Sequence, residues 1–394
     1  MKKCIALTLL FALLLSGCGG STAPAETAEV TVETTAAPTT APTTEPTTVP
    51  TEPPVIYRNP FNGEVLDEPY TGRLIAHTIT NTEDALPHVG VNECDMIFEA
   101  YVSQGVVRCL AFFTDISGVE AIGGTRSTRL IFNQLAHSYD AITIHGGGFT
   151  QVLQDARWRG LDHFNVDSLY RQGDPFAKAT AYRDKEYKRQ APNNLFGYGP
   201  GIVAYLENQG VRMTQPADKD YGWTFAENAV PENGEEAKNI VIEFGDGLKT
   251  TTMVYDEAAG KYVWNQYGQV MTDQITGEEE AFTNVIILQA DTYFNYIYQE
   301  ANFHVGGWGY YANGGKLIPI NWEPLDASEP SPFRITTKDG EAVDIGVGNS
   351  YVAVLSYTNQ VQWKEPEPEE TVPVTAESTV PGTAETTAPQ ITAE

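Results

Sequence analysis

"TRSTRLIFNQLAHSYDAITIHGGGFTQVLQDARW", residues 125–158, decides the fold. Leu130, Ile131, Gln134 and Leu135 recur at helical spacing, so a helix is expected to follow the two arginines. Residues 141–145 form a short apolar run suited to a strand. That run ends in Gly146-Gly147-Gly148, a turn, and residues 149–158 return to helix. Just upstream, 95–102 and 106–114 are apolar runs around a Ser-Gln-Gly turn, which reads as a β-hairpin. Strand, helix, strand, Gly-rich turn and helix make an α/β rhythm with some parallel pairing.

Further along, 189–201 is rich in turn residues and 202–210 reads as a short helix ended by Gly210. After about residue 220 the helical spacing fades. "NIVIEF", "TTTMVYD", "KYVWNQY", "NVIILQA", "FNYIYQE" and "YVAVLSY" are β-rich runs separated by glycine turns. The expected class is α+β: an α/β domain with a mixed sheet over 57–220, then a mostly antiparallel β-rich domain over 221–363.

The two ends differ from this body. Lys2 and Lys3 precede an apolar run, 5–15, too short to span a bilayer. It closes in Leu15-Ser16-Gly17-Cys18, a lipobox. Residues 1–17 are therefore expected to be a lipoprotein signal peptide, with Cys18 carrying a diacylglyceryl anchor on the outer face of the cytoplasmic membrane. In 19–56, 30 of 38 residues are Thr, Pro, Ala or Glu, and none is aromatic or basic. Such a composition cannot bury enough apolar surface to order itself, so 18–56 reads as a tether and 364–394 as a similar tail. A long polar tether suits a Gram-positive-type envelope.

The chain carries a formal charge of -28, and the body 57–363 alone holds 21 Lys/Arg against 40 Asp/Glu. A field of that sign excludes nucleic acid as an expected partner. Residues 122–189 run against it, with 10 basic side chains and 7 acidic ones. Arg126 and Arg129, three apart in an expected first helical turn, would share a face and oppose the helix dipole. A bound anion reverses that cost, because free main-chain N–H groups and two forked guanidinium groups converge on it. Phosphate, pyrophosphate and carboxylate all fit that description. The protein's own carboxylates, such as Asp140 or Asp184, are the competing occupants.

Around this pair, the sequence offers Ser127, then His145 with Gly146 and Gly147 at a strand's carboxyl end, where α/β sheets place ligands. It also offers the charged run Arg183-Asp184-Lys185 and the amides Asn193 and Asn194. No nucleophile elbow, zinc spacing or phosphate loop is present, so no cofactor or metal is expected and no catalytic residue is assigned. Cys94 and Cys109 are the two cysteines left in the body. In the simple hairpin register Cys94 faces roughly residue 113, which disfavours a bridge between them. "GGWGYYANGG", 306–315, reads as core tyrosines with hairpin glycines, and also as an aromatic surface for sugars.

Several stretches together resemble the DUF3048 family, the YerB-like bacterial lipoproteins: "NPFNGEVLDEP" (59–69), "CDMIFEAYVSQGVVRCLAFF", "IGGTRSTRLIF", "YDAITIHGGG", "YRDKEYKRQAPNNLF", "YDEAAGKYVWNQYG" and "GWGYYANGGKLIPINW". The resemblance runs over nearly all of 57–357. It implies an N-terminal α/β domain followed by a C-terminal β-rich domain, and it implies no activity. Where the family has Gly-Pro-Val-Arg-Ser-Ala-Arg, this chain has Gly123-Gly124-Thr125-Arg126-Ser127-Thr128-Arg129. Where the family has Ala-Pro-His-Asn, it has Ala191-Pro192-Asn193-Asn194, which removes a histidine at that place. The expected function is binding of an anionic envelope ligand, a phosphorylated glycan or lipid-linked pyrophosphate, with or without processing. The alternative is a non-catalytic scaffold that docks another envelope protein.

Overall fold

In four neighbouring strands, successive residues are buried toward opposite sides, which makes one sheet apolar on both faces. Phe98, Leu110, Ile286 and Val352 belong to one core, while Ile97, Ala111, Ile287 and Ala353 belong to the other. The computed structural model describes residues 55–364 except 104, 186–188 and 329. The expected signal peptide, Cys18, nearly all of the tether and the tail beyond Lys364 lie outside the described residues.

The strands of this central sheet are β1 (Ile75–Thr80), β2 (Met96–Ser103), β3 (Val106–Phe113), β4 (Ile142–His145), β5 (His163–Asn165), β6 (Asn284–Ala290), β7 (Gly307–Asn313), β8 (Lys316–Pro324) and β9 (Ser350–Ser356). Their spatial order is β8-β7-β6-β9-β2-β3-β1-β4-β5. Pairing is parallel for β6–β9, β9–β2, β1–β4 and β4–β5, and antiparallel for the hairpin β2–β3 and for β3–β1, β6–β7 and β7–β8. The fold is thus a mixed α+β arrangement. Of the strands expected in a following β-rich segment, β6, β7, β8 and β9 join the same sheet as those of the α/β segment, while others form a second sheet. The join is β9 lying parallel to β2, Tyr351 opposite Ile97 and Val352 opposite Phe98.

One face is covered by helix α1 (Leu130–Ser138) through Ile131, Phe132 and Leu135, together with Phe61, Tyr139 and Trp322. The other is covered by the helix Gly199–Asn208 and by a second, antiparallel sheet. That sheet contains Asn239–Phe244, Lys249–Asp256 and Lys261–Gln266, and it presents Ile240, Ile242, Met253 and Trp264 inward. Helix α2 (Thr150–Trp158) buries only Val152 and Ala156 and packs beside α1.

The hairpin register places Met96 opposite Phe112 and Glu99 opposite Cys109. Cys94 therefore lies well away from Cys109 along the ladder, and both are free, buried thiols. Burial pushes each thiol up. The 306–315 stretch forms β7 and a hairpin turn, with Gly314 and Gly315 both at positive φ as the tight reversal needs. Tyr311 is core, whereas Trp308 stays partly exposed.

Candidate functional site

The segment before α1 differs from the expectation. The helix begins at Leu130, with Arg129 at its N-cap, and 126–129 runs extended. The reason is a competing set of main-chain partners. Arg126 N donates to Thr78 O, Gly146 N donates to Arg126 O, and Thr128 N donates to Gly147 O. The segment is pinned between β1 and the Gly-rich turn, so the arginines project from an extended stretch rather than from a helical turn. Glycine is needed where these chains meet. A Cβ on Gly124 would stand 2.6 Å from Asn193 O, and Gly147 holds a φ of +106°.

Three arginines gather here. Arg126 is half-buried, Arg129 is buried at the α1 cap, and Arg108 is buried on β3, on the same side as Leu110. Arg108 donates to Ser127 O (2.6 Å), and Arg129 to Thr128 O (2.8 Å) and Ser127 O (3.3 Å). The Nε of both Arg108 and Arg129 is buried with no hydrogen-bond partner. Among the described residues, none of the three forms an ion pair.

Electrostatics agree with the geometry. Burial and then the other two guanidinium groups depress Arg108 well below the usual arginine range. Burial lowers Arg129 to about 10, opposed by Tyr298 and reinforced by Arg126. Burial also lowers Arg126, and the charge of Asp84 opposes it. Asp84 does not neutralise the cluster by contact. Its carboxylate is occupied by Thr82 (2.6 Å) and Asn193 (2.8 Å). Two rings complete the surroundings: the Arg129 guanidinium lies 5.6 Å from the Phe149 centroid and 5.8 Å from that of Tyr298.

The expected internal occupants are otherwise engaged. Asp140 is held by Arg73 and Arg212. Asp184 is buried, its main-chain N–H donates to Asn194 O, and its charge acts on Arg189. Arg183 is a structural ion pair, bonded to Asp167 (2.5 Å), Asn194 Oδ1 (2.7 Å) and the Tyr170 hydroxyl (3.0 Å). The structure thus joins Arg126, Ser127, Arg129, Gly146 and Gly147, reaches Asn193 through Asp84, and sets Arg183, Asp184 and Asn194 in a neighbouring, self-satisfied group.

His145 lies beneath the turn. Its Nδ1 lies 2.7 Å from Gly147 O and 3.2 Å from Gly147 N, and its Nε2 lies 3.0 Å from His163 Nδ1. Burial and then His163 hold His145 at about 3. His77, also at about 3 through burial and His145, bonds Thr125. These are neutral, buried imidazoles at physiological pH. Among the described residues no cluster of three or more His, Cys, Asp or Glu is placed to hold a metal ion, and no helix is long and apolar enough to cross a membrane.

Sequence reasoning missed Arg108 and Tyr298. The signal for the first was present: a lone arginine inside the apolar run "VVRCLAFF" must either be paired or face a charge from outside. Tyr298 comes from a distant hairpin and left no local mark.

A mixed-sheet α+β protein with a cluster of arginines that no described carboxylate pairs is the class these features define. The chain matches the models "Protein of unknown function (DUF3048) N-terminal domain" over residues 61–212 and "Protein of unknown function (DUF3048) C-terminal domain" over 240–352, and it belongs to the DUF3048 family. It is 24% identical over 289 residues, 72% of this chain and 81% of the relative, to a Bacillus subtilis (strain 168) protein named "Putative lipoprotein YerB". The crystal structure of YerB from Bacillus subtilis has the same fold, with a TM-score of 0.64 at 20% identity, covering 77% of this chain and 99% of that one.

Proposed function

We propose that the chain is a lipid-anchored envelope protein whose arginine cluster receives an anionic group carried by an envelope ligand. The lipobox at Cys18 and the name of the YerB relative support the anchor. One observation carries the binding reading: Arg108, Arg126 and Arg129 repel one another, and among the described residues no carboxylate pairs with them. Buried charge without a partner is costly. An acidic chain that keeps three such charges together, one of them open to solvent, has built a site for an anion. Arg126 and Arg129 supply forked donors for phosphate or pyrophosphate, and Ser127 lies between them. Arg108 fixes the Ser127 carbonyl from below and adds charge.

Calorimetric titration with inorganic pyrophosphate at low salt tests this reading. Binding should be present in the wild-type chain, weaken as salt rises, and fall at least about 100-fold in Arg126→Ala/Arg129→Ala, taking each of two lost charged hydrogen bonds as about 1.5–3 kcal/mol. Absence of binding, or a double variant that binds like wild type, sinks it. Capture of an acidic protein segment by the cluster without any affinity for phosphate or pyrophosphate would favour the docking scaffold instead.

A further inference from the structure

The ring of Tyr298 that flanks Arg129 belongs to a β-hairpin, Thr292–Asn295 with Tyr298–Ala301, that extends from β2 at Ser103. The hairpin's turn is Tyr296-Ile297. Tyr296 is 86% exposed at a φ of +60°, Phe294 is 57% exposed, and Ile297 is 40% exposed. Beside it, on the same side of Arg129, Phe149 is 52% exposed and packs its ring 5.5 Å from that of Tyr298. Phe149 and Tyr298 thus adjoin the Arg129 guanidinium, and exposed Tyr296 and Ile297 immediately precede Tyr298 in the hairpin turn. Apolar side chains at a hairpin tip gain nothing from water, and a tyrosine suits a boundary between apolar and wet surroundings.

We infer that the ligand is a lipid-borne phosphate or pyrophosphate, its headgroup held by Arg126 and Arg129 and the start of its hydrocarbon chain lying against Phe149, Tyr296 and Ile297. This deepens the anion-binding reading and rests on it. Charge complementarity selects an anionic amphiphile over a neutral apolar partner, because Phe149 and Tyr298 adjoin a guanidinium group that no acid of the described chain satisfies.

The chain from Gly19, which retains every described residue, is titrated with inorganic pyrophosphate, farnesyl pyrophosphate below its micellar concentration, and farnesol. Farnesyl pyrophosphate should bind about tenfold tighter than pyrophosphate or better, as burial of one or two methylene groups gives. Farnesol alone should bind far more weakly. In Tyr296→Ser/Ile297→Ser the advantage of the prenyl chain should shrink toward parity. Equal affinity for pyrophosphate and its prenyl ester overturns the lipid inference and leaves the anion site standing. Farnesol binding as tightly as farnesyl pyrophosphate also overturns it. Loss of all pyrophosphate binding removes the underlying reading.

Discussion

Two buried cationic regions of this protein are built in opposite ways. At Glu99, the Lys249 ammonium meets a carboxylate at zero exposure, with Asn81 (2.6 Å), Thr251 (3.0 Å) and the Tyr351 hydroxyl on the same two oxygens. The rings of Phe244, Trp264 and Tyr267 surround the ammonium. This network ties β2 and β9 to the second sheet, and within it every charge is answered. At Arg108, Arg126 and Arg129, the cations have main-chain carbonyls and rings but, among the described residues, no acid, and two Nε atoms have no partner there. The same chain that gives one buried carboxylate four donors, a cation among them, leaves three cations together with no acid among the described residues. The first arrangement holds the fold together; the second is where we propose that an anion from outside binds.

The sharpest way to break this contrast is Glu99→Ala, which leaves Lys249 buried and unpaired. It should cost about 3–5 kcal/mol in denaturant unfolding. A loss below about 1 kcal/mol would mean the pair is dispensable and the contrast empty.

Acid should act next most strongly, through the neutral histidines under the arginine turn. With folded values near 3 against an unfolded 6.5, His77 and His145 stay neutral in the native state while the unfolded chain takes up protons. Their stabilising contribution is therefore full above pH 6.5 and is lost as pH falls toward 3, at about 1.4 kcal/mol per pH unit for each. His145→Asn should unfold with a visibly shallower dependence between pH 6.5 and 4. An unchanged slope would place the acid sensitivity elsewhere.

A smaller, opposite effect is expected at Arg108. Arg108→Met keeps length and removes an unpaired buried charge, so ligand-free stability should rise by about 1 kcal/mol, against the loss of one bond to Ser127 O. A marked fall in melting temperature would make Arg108 a structural residue. The least change is expected for Arg126→Ala/Arg129→Ala, within about 0.5 kcal/mol of wild type, because mutual repulsion is relieved as contacts are lost. A drop comparable to that of Glu99→Ala would equate the two regions.

Much of the scaffold was legible from local pattern. The hairpin 96–113, helix α1, strand β4 and helix α2 follow apolar periodicity and glycine punctuation. What could not be read was non-local. Runs such as "NVIILQA" and "YVAVLSY" are apolar on both faces, so nothing in them says that β9 lies between β6 and β2 in parallel. The arginine segment was expected to be helical because Leu130, Ile131, Gln134 and Leu135 are. Hydrogen bonds to Thr78, Gly146 and Gly147, remote in sequence, extend it instead. Arg183 sat in a basic run and was expected at the cluster, yet Asp167 sixteen residues before it takes the charge. Arg108 shows the converse: an isolated charge in a core strand carried more information than the run.

The most direct measurement is a crystal structure of the chain soaked with tungstate, a phosphate mimic visible by anomalous scattering. The account predicts a tungstate within hydrogen-bonding distance of the Arg126 and Arg129 guanidinium groups, beside Ser127 and facing Phe149. An empty cluster, with any of the three arginines turned onto a carboxylate of the chain itself, would contradict it.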